Sequence, residues 1–261
     1  IVPGFNIFGY EDAIAVVRAA EELNKPSLLM VNKLAIDYMP VEYWGKLLRA
    51  IAEDAKVPIS VHLDHCKNFD VVMRAINSGF SSVMYDGSQL PIEENIKRTK
   101  EIVKIAKVFN VSVEGEIGSV PYADLPGHAI DILTNVPDAV RFTNETDVDW
   151  VAVAIGQVHR LQHTKSEINF DILEEIQNNI SKPIVIHGGS GIKEKDLIRM
   201  TKYRVGKINV GTSLRIAFGE ELKHQVIKNP EEFDRIKLFS EPSKAVIEVT
   251  KKMFDILDSN N

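Results

Sequence analysis

The sequence predicts an α/β protein, a (β/α)8 TIM barrel that folds as a single domain over residues 1–261. Eight short apolar runs with the character of β-strands recur along the chain, and longer segments with helical spacing separate them. Several runs are almost continuously apolar, as parallel strands covered by helices are. An open doubly wound sheet usually carries a glycine-rich turn after an early strand, and none follows the first run. The number of strand–helix units therefore favours the barrel.

The predicted strands follow one another at intervals that leave room for helices between them. They span residues 3–8, 27–32, 58–64, 81–87, 112–118, 149–156, 183–190 and 206–213. The clearest intervening helices, with apolar residues every three to four positions, are 11–23, 42–55, 92–109 and 170–180. We expect residues 240–261 to form the closing C-terminal helix and a tail.

The connection after the fifth strand, residues 119–137, is long and rich in Pro, Gly, Asp and His. Connections in α/β folds are usually short, so a longer one is either functional or disordered. In a barrel this loop would lie over the mouth formed by the carboxyl ends of the strands. We therefore expect an active-site lid.

The composition of the chain restricts its location and partners. The net charge of −6 argues against nucleic acid and anionic membranes as partners. The single cysteine, Cys66, excludes an internal disulfide framework and suits a reducing compartment. No apolar run reaches the ~18 residues of a membrane span, and the first residues lack signal-peptide features. We expect a cytoplasmic protein that acts on a small molecule.

Histidines stand at the ends of three predicted strands. His65 lies in the segment VHLDHC, His159 follows the sixth strand and His187 ends the seventh. One buried histidine is more often a core residue than a ligand, but the strand ends of a barrel converge on one mouth. Three protein ligands with an open position are the pattern of a catalytic Zn²⁺. We therefore predict a three-histidine site whose cation acts as a Lewis acid on a bound carbonyl.

Asp64 precedes the first of these histidines and is the natural general acid or base, because it need not be a ligand. Neighbouring strand residues point to opposite faces, so the strand must end and turn for Asp64 and His65 both to reach the site. The alternative for Asp64 is a helix N-cap or a partner of a ligand histidine. His62 lies deeper and is expected to be structural, and Cys66 is expected to be a buried spectator.

Two carboxylates, Asp86 and Glu116, end the fourth and fifth strands. Facing each other across adjacent strands, they would repel unless a cation or a proton intervened, so they are candidates for a second cation site. The alternative is a pair of hydrogen-bonded carboxylates that closes the mouth.

A Schiff-base mechanism would need a desolvated lysine in the mouth. The sixth strand, VAVAIG, has none, and Lys207 stands at the start of the eighth strand, away from the mouth. The metal is therefore expected to take the electron-sink role.

Glycine-rich segments follow the last two predicted strands. The candidate phosphate-binding residues in them are Gly188, Gly189, Ser190, Asn209, Gly211 and Thr212. Glycines let backbone N–H groups approach an anion, and the N-termini of the following helices add a favourable dipole. Tight turns use the same residues, but barrels often bind phosphate with the loops after strands seven and eight. Together the two segments predict a phosphate site.

These motifs occur together in one known family. Seven motifs succeed one another along the chain: FNI, HLDHC, MYDGS, VEGEIG, AIGQVH, HGGSG and KINVGT. Over nearly its whole length the chain resembles the class II, zinc-dependent ketose-bisphosphate aldolases, which include fructose- and tagatose-bisphosphate aldolases. HLDH together with AIGxxH and HGGSG is a specific combination.

The resemblance implies a lyase of carbohydrate metabolism, as in glycolysis, that reversibly cleaves a phosphorylated ketose to dihydroxyacetone phosphate and an aldehyde. It implies Zn²⁺ held by His65, His159 and His187. It also implies that Asp64 moves the proton of the C4 hydroxyl, while a lid carboxylate reprotonates the carbanion.

The resemblance extends to the surroundings of the metal. Asp86 and Glu116 would match the position of a second divalent cation, and a monovalent cation is a further possibility near the phosphate. The dihydroxyacetone-phosphate pocket would contain Gly188, Ser190, Asn209 and Thr212, with Asn6 nearby. Family members are commonly homodimers or homotetramers.

Three positions depart from the family pattern. Arg160 follows His159 where the family usually has glycine, strand two ends in VNK where Ser or Thr is common, and the lid reads SVPYADLPGHA in place of a GGxED-like run. Asp124 is then the only carboxylate near the expected place. Arg160 would either supply a fork for a phosphate or carboxylate or clash with the usual phosphate position.

These departures leave the metal chemistry in place and the substrate open. One alternative is a related metal-dependent aldolase that acts on a different sugar phosphate or on a keto acid. Another is a sugar-phosphate-binding protein that has lost turnover. A panel of phosphorylated ketoses separates the ketose-bisphosphate aldolase from the first alternative, and Asp124→Asn separates it from the second.

Overall fold

Eight parallel strands close a barrel in sequence order in the computed structural model, which describes residues 1–124, 133–161 and 165–259. The strands are β1 (Val2–Asn6), β2 (Ser27–Val31), β3 (Ile59–Cys66), β4 (Ser82–Tyr85), β5 (Ser112–Ile117), β6 (Trp150–Val153), β7 (Ile184–Ile186) and β8 (Val205–Val210). β8 pairs in parallel with β1 and completes the ring. The predicted (β/α)8 barrel is confirmed.

Helices cover the outside of the barrel. They are α1 (Tyr10–Leu23), α2 (Lys33–Tyr38), α3 (Val41–Asp54), α4 (Phe69–Asn77), α5 (Ile92–Val108), α6 (Val136–Thr146), α7 (Phe170–Asn179), α8 (Glu194–Met200), α9 (Thr212–Lys228) and α10 (Arg235–Asp258). Apolar side chains of the helices and strands form one buried core. Among the described residues, no helix is both long and apolar enough to cross a bilayer.

Asparagine caps fix the loops that leave β2 and β3. The side chain of Asn32 accepts hydrogen bonds from the first N–H groups of α2, and that of Asn68 does the same for α4. Each such cap contributes about 1 kcal/mol to helix stability. The caps therefore hold Lys33 and Lys67, which flank them, at the rim of the mouth.

The C-terminal helix starts earlier than the sequence predicts. α10 begins at Arg235 rather than Ser240, because Asp234 accepts a hydrogen bond from the N–H of Ile236 and caps the additional turn. Residues 260–261 of the expected tail lie outside the described residues.

The predicted lid, residues 119–137, is described in part. Residues 125–132 lie outside the described residues, and α6 already begins at Val136. The returning chain is fixed to the barrel by the hydroxyl of Thr134, which donates a hydrogen bond of 2.6 Å to the carbonyl oxygen of Ile117. Residues 119–124 are therefore the part of the predicted lid that is considered below, and its role as a lid stays a prediction.

Candidate active site

Asp64 and His65 are adjacent in β3, yet both line the cavity at the mouth. The pairing of β3 with β4 shifts register between Leu63 and Cys66, and His65 adopts a left-handed conformation with φ of 49°. A bulge of this kind re-aims a side chain that would otherwise point to the opposite face. The expectation that the strand ends at residue 64 and turns there is wrong, because β3 continues to Cys66 through the bulge.

The three predicted histidines meet at the mouth. One nitrogen of each of His65, His159 and His187 lies within 4.8 Å of the others. The ring centroid of His65 is 4.7 Å from that of His159 and 4.4 Å from that of His187. His65 Nε2, His159 Nε2 and His187 Nδ1 are buried and have no hydrogen-bond partner among the described residues. Buried polar atoms without a partner are costly, so a cation that binds three nitrogens fits this arrangement.

The protonation of the rings suits a metal site. Burial, and the charge of His65 beside them, lower the pKa of His159 and of His187 well below the ordinary imidazole value. Burial acts on His65 in the same direction, but the carboxylates of Asp64 and Asp86 outweigh it and raise its pKa. Two of the rings are therefore already in the neutral form that binds metals.

A buried polar network beneath the mouth orients His187. Glu114 Oε1 accepts a hydrogen bond of 2.9 Å from His187 Nε2, and the other carboxylate oxygen pairs with Lys207 Nζ. The three side chains are at most 1% exposed. A carboxylate on one ring nitrogen fixes the tautomer, which here leaves Nδ1 free for the cation.

His62 and Lys207 fill the barrel interior below the cavity. His62 Nδ1 lies 2.8 Å from Ser82 Oγ and its Nε2 lies 3.2 Å from Lys207 Nζ, which agrees with the structural role predicted for His62. Lys207 was expected away from the mouth. It does not line the cavity, but its side chain turns inward with that of Asn209, because alternate residues of β8 share a face.

Asp86 and Glu116 face the other nitrogen of His65. Asp86 Oδ2 and Glu116 Oε2 each lie 3.6 Å from His65 Nδ1, and the three residues form a second group able to hold a metal. Burial and the charge of Asp86 raise the pKa of Glu116 well above its ordinary value. Asp86 also accepts a hydrogen bond of 2.6 Å from Ser88 Oγ. The carboxylates thus have the geometry of a second cation site.

Asp64 is held at the mouth by an amide. Asn209 Nδ2 donates a hydrogen bond of 3.0 Å to Asp64 Oδ1. The N-cap of α4 is Asn68, so Asp64 does not cap that helix. Asn6 and Asn209 both line the cavity, and the amide oxygen of each is buried without a partner among the described residues. These groups are available to a ligand.

The glycine-rich ends of β7 and β8 lie side by side and are joined by Ser190. Its Oγ accepts hydrogen bonds from the backbone N–H groups of Gly211 (3.3 Å) and Ser213 (3.2 Å). Gly188 has φ of 66°, and a Cβ atom there would lie 2.9 Å from the carbonyl oxygen of Val158. Glycine is therefore required at position 188. α9 begins at this junction, so its N-terminus adds a positive dipole end to the cavity.

The cavity has a volume of about 700 Å³. The predicted site residues that line it are Asn6, Asp64, His65, Asp86, His159, Arg160, Gly188, Ser190, Asn209, Gly211 and Thr212. Gly189 does not line it: a Cβ atom there would lie 2.6 Å from the side chain of Ile208, so this glycine allows close packing on β8. Lys33, Lys67 and Arg215 add positive charge to the walls.

Comparison with known proteins places this site in a family. A profile of the family described as fructose-bisphosphate aldolase class-II matches residues 1–261, the whole chain. The chain belongs to the class-II fructose-bisphosphate aldolase family. It is therefore an aldolase, a lyase that acts on carbon–carbon bonds.

Individual relatives of this aldolase agree. The fructose-bisphosphate aldolase of Ureaplasma parvum serovar 3 is 38% identical over 231 residues, which cover 87% of this chain and 79% of that protein. The sulfofructosephosphate aldolase of Alkalicoccus urumqiensis is 33% identical over 263 residues, 100% of this chain and 92% of that protein. The crystal structure of the YdjI aldolase from Escherichia coli K12 superimposes with a TM-score of 0.85 at 28% identity, covering 100% of this chain and 92% of that one.

Sequence reasoning gave no role to two residues of the aldolase site, Glu114 and Tyr122, and considered Lys207 only for a Schiff base. Glu114 alternates with Glu116 in VEGEIG, and that period of two is a signal that both face the barrel interior. Lys207 faces inward by the same rule applied to β8. Tyr122 carries no such signal, because it lies outside the barrel strands and reaches the site through pairing with His159.

Proposed function

We propose that the chain is a zinc-dependent aldolase that reversibly cleaves a phosphorylated ketose to dihydroxyacetone phosphate and an aldehyde. The observation that carries this proposal is the convergence, beside Asp64, of three buried imidazole nitrogens that have no hydrogen-bond partner among the described residues. Three imidazole nitrogens suit Zn²⁺ better than the hard cations, which prefer oxygen ligands. Asp86 and Glu116 would hold a second cation next to it.

The metal, when bound, would polarise the ketose carbonyl and stabilise the negative charge that develops as the carbon–carbon bond breaks. Asp64 accepts the proton of the C4 hydroxyl, and C4 becomes the aldehyde carbon. The electron pair of the C3–C4 bond stays with the triose-phosphate fragment, which then takes up a proton at C3. Asn209 fixes one oxygen of Asp64, so the other is free to receive the proton.

The glycine-rich ends of β7 and β8 would bind the phosphate of that fragment. Gly188 and Ser190 supply one side of the cradle, and Gly211 and Thr212 supply the other at the start of α9. Backbone N–H groups and a helix N-terminus are suited to a dianion. Asn6 lines the same part of the cavity.

Positive charge at the mouth supports an anionic group at the far end of the substrate as well. Arg160, Lys33, Lys67 and Arg215 line the cavity, and an anionic substrate group would compete with the carboxylates of Asp124, Asp37 and Asp86 that pair with the first three. The guanidinium of Arg160 can bind phosphate, sulfonate or carboxylate through two N–H groups. A second candidate substrate is therefore a ketose 1-phosphate with a sulfonate or carboxylate at the other end, and the sulfofructosephosphate aldolase among the relatives is consistent with it.

The location and assembly belong to the same proposal. A cytoplasmic homodimer or homotetramer is what the resemblance implies, and a role in glycolysis follows if fructose 1,6-bisphosphate is the preferred substrate.

A panel of substrates tests the proposal. The zinc-loaded protein is assayed for dihydroxyacetone phosphate release from fructose 1,6-bisphosphate, tagatose 1,6-bisphosphate and 6-deoxy-6-sulfofructose 1-phosphate, with fructose 1-phosphate as the matched control. We expect cleavage of at least one doubly anionic ketose with a higher kcat/KM than the control, and loss of activity with a chelator. A preference for the sulfonate would select the second candidate, whereas release from none of the four would contradict the proposal.

A further inference from the structure

The three histidines of the site are held in different ways. His187 donates a hydrogen bond to Glu114, and His65 faces two carboxylates through its Nδ1. The ring of His159 makes no hydrogen bond or ion pair with any described residue. A metal ligand normally owes its orientation to a partner on its second nitrogen, so within the described part of the chain another contact has to orient His159.

That contact is the ring of Tyr122. The centroids of the Tyr122 and His159 rings are 4.5 Å apart and their planes are inclined by 22°, which is a stacked arrangement. The Tyr122 ring also meets His65 edge-on at a centroid distance of 6.4 Å. Tyr122 therefore contacts two of the three proposed ligands.

Backbone hydrogen bonds keep the two rings in register. The N–H of His159 donates to the carbonyl oxygen of Pro121 over 2.8 Å, and the N–H of Ala123 donates to the carbonyl oxygen of His159 over 3.1 Å. Residues 121–123 thus pair with His159 as a short parallel bridge. Stacking follows directly from this pairing, because Tyr122 and His159 are the bridge partners.

Arg160 and Asp124 complete the contact. The guanidinium carbon of Arg160 lies 4.9 Å from the centroid of the Tyr122 ring, and its Nη1 donates a hydrogen bond of 2.7 Å to Asp124 Oδ2. The ion pair is half-exposed and contributes little by itself. The ion pair instead links Arg160, which follows His159, to Asp124, which lies two positions after Tyr122. The two segments that carry the stacked rings are therefore joined by a side-chain contact as well as by the backbone bridge.

We propose that Tyr122 is a positioning residue that orients the imidazole of His159 by ring stacking, as the hydrogen bond to Glu114 orients that of His187. This inference rests on the proposed metal site. It assigns a role to the segment PYAD, in which the chain departs from the family pattern, and to Arg160 beside it.

Zinc affinity of the metal-free protein tests the inference without any substrate. Tyr122→Leu removes the aromatic ring, Tyr122→Phe keeps it, and Tyr43→Leu makes the same change at an exposed position on α3 as a matched control. Competition with a chromophoric chelator should show affinity weakened about 10- to 100-fold in Y122L, the usual effect of losing a partner of a metal ligand. Y122F and Y43L should stay close to the parent protein.

The visible spectrum of the cobalt-loaded proteins gives a second readout. We expect changed band positions in Y122L, because a rotated imidazole alters the ligand geometry, and a parent-like spectrum in Y122F. A Y122L protein with unchanged affinity and spectrum would overturn the inference, as would a Y122F protein that loses as much affinity as Y122L.

Two further measurements keep failures distinguishable. Thermal unfolding of the metal-free proteins shows whether Y122L folds. If it does not, Arg160→Met removes the guanidinium that lies against the Tyr122 ring, and we expect zinc binding to weaken several-fold. An unchanged zinc affinity of this variant would count against the stack. A parent protein that binds no zinc would contradict the proposed function itself. A parent that binds zinc alongside an unaffected Y122L would contradict only the role of Tyr122.

Discussion

Replacement of Glu114 by glutamine separates its two roles beneath the site. The carboxylate orients His187 through one oxygen and neutralises the ammonium group of Lys207 through the other. Glutamine has nearly the same shape, but its single carbonyl oxygen carries no charge and can serve only one of the two donors. The variant therefore tests both the buried ion pair and the support of the metal ligand.

The size of each effect follows from burial. Glu114 and Lys207 are at most 1% exposed, and removing one partner of such a pair costs about 3–5 kcal/mol. We expect about 3 kcal/mol for E114Q, because one hydrogen bond survives. That is a large part of the about 5–15 kcal/mol by which a domain is stable. Zinc affinity should fall about 10-fold, the lower end of the range for a partner of a ligand histidine.

A double variant makes the test decisive. In E114Q/K207M the uncompensated ammonium group is gone, so the free energy of unfolding should recover most of the loss while zinc affinity stays reduced. Urea unfolding of the metal-free proteins gives the stabilities, and competition with a chelator gives the affinities. A double variant as unstable as E114Q would refute the charge-balance role of Lys207, and parent-like zinc binding by E114Q would show that His187 needs no charged partner.

Three further predictions concern single residues. Asp64→Asn should lower kcat about 10²- to 10⁴-fold in steady-state kinetics, while metal analysis should show the zinc content of the parent. An unchanged kcat would show that Asp64 takes no part in proton transfer. Gly188→Ala should destabilise the protein by about 1–2 kcal/mol and raise KM for the phosphorylated ketose, because its φ of 66° is unfavourable for alanine, and parent-like denaturation and KM would contradict this. Burial raises the pKa of Asp12 to about 6, so the folded state binds its proton more tightly than the unfolded state and stability falls as pH rises from about 4 to about 6. Asp12→Asn, which keeps an acceptor for the N–H of Phe8, should therefore be about 3 kcal/mol more stable than the parent at pH 7 and similar at pH 4; equal urea midpoints at both values would count against the shifted pKa.

The sequence predicts the fold and most of the cavity lining because both follow local patterns. Eight apolar strand runs determine the barrel, and a barrel brings strand ends together whatever the details of its loops. His65, His159 and His187 could thus be grouped from their places at strand ends alone. For the same reason the sequence predicts that the glycine-rich ends of β7 and β8 lie side by side. Only the packing against Ile208 shows why residue 189 is a glycine.

Features that depend on pairing between distant segments were not predictable. The bulge that turns both Asp64 and His65 into the mouth arises from the register of β3 against β4, which alternation along one strand cannot show. The stack of Tyr122 on His159 requires a bridge between two connections outside the barrel strands. Glu114 is an intermediate case. Its inward direction could be inferred from the alternation along β5, but its hydrogen bonds with His187 and Lys207 could not.

X-ray absorption at the zinc edge of the purified protein tests the three-histidine site most directly. The account predicts one tightly bound zinc whose first coordination sphere contains three imidazole nitrogens at about 2.0–2.1 Å, and no sulfur from the nearby Cys66. A zinc–sulfur distance of about 2.3 Å, or a sphere without the scattering pattern of imidazole, would contradict it.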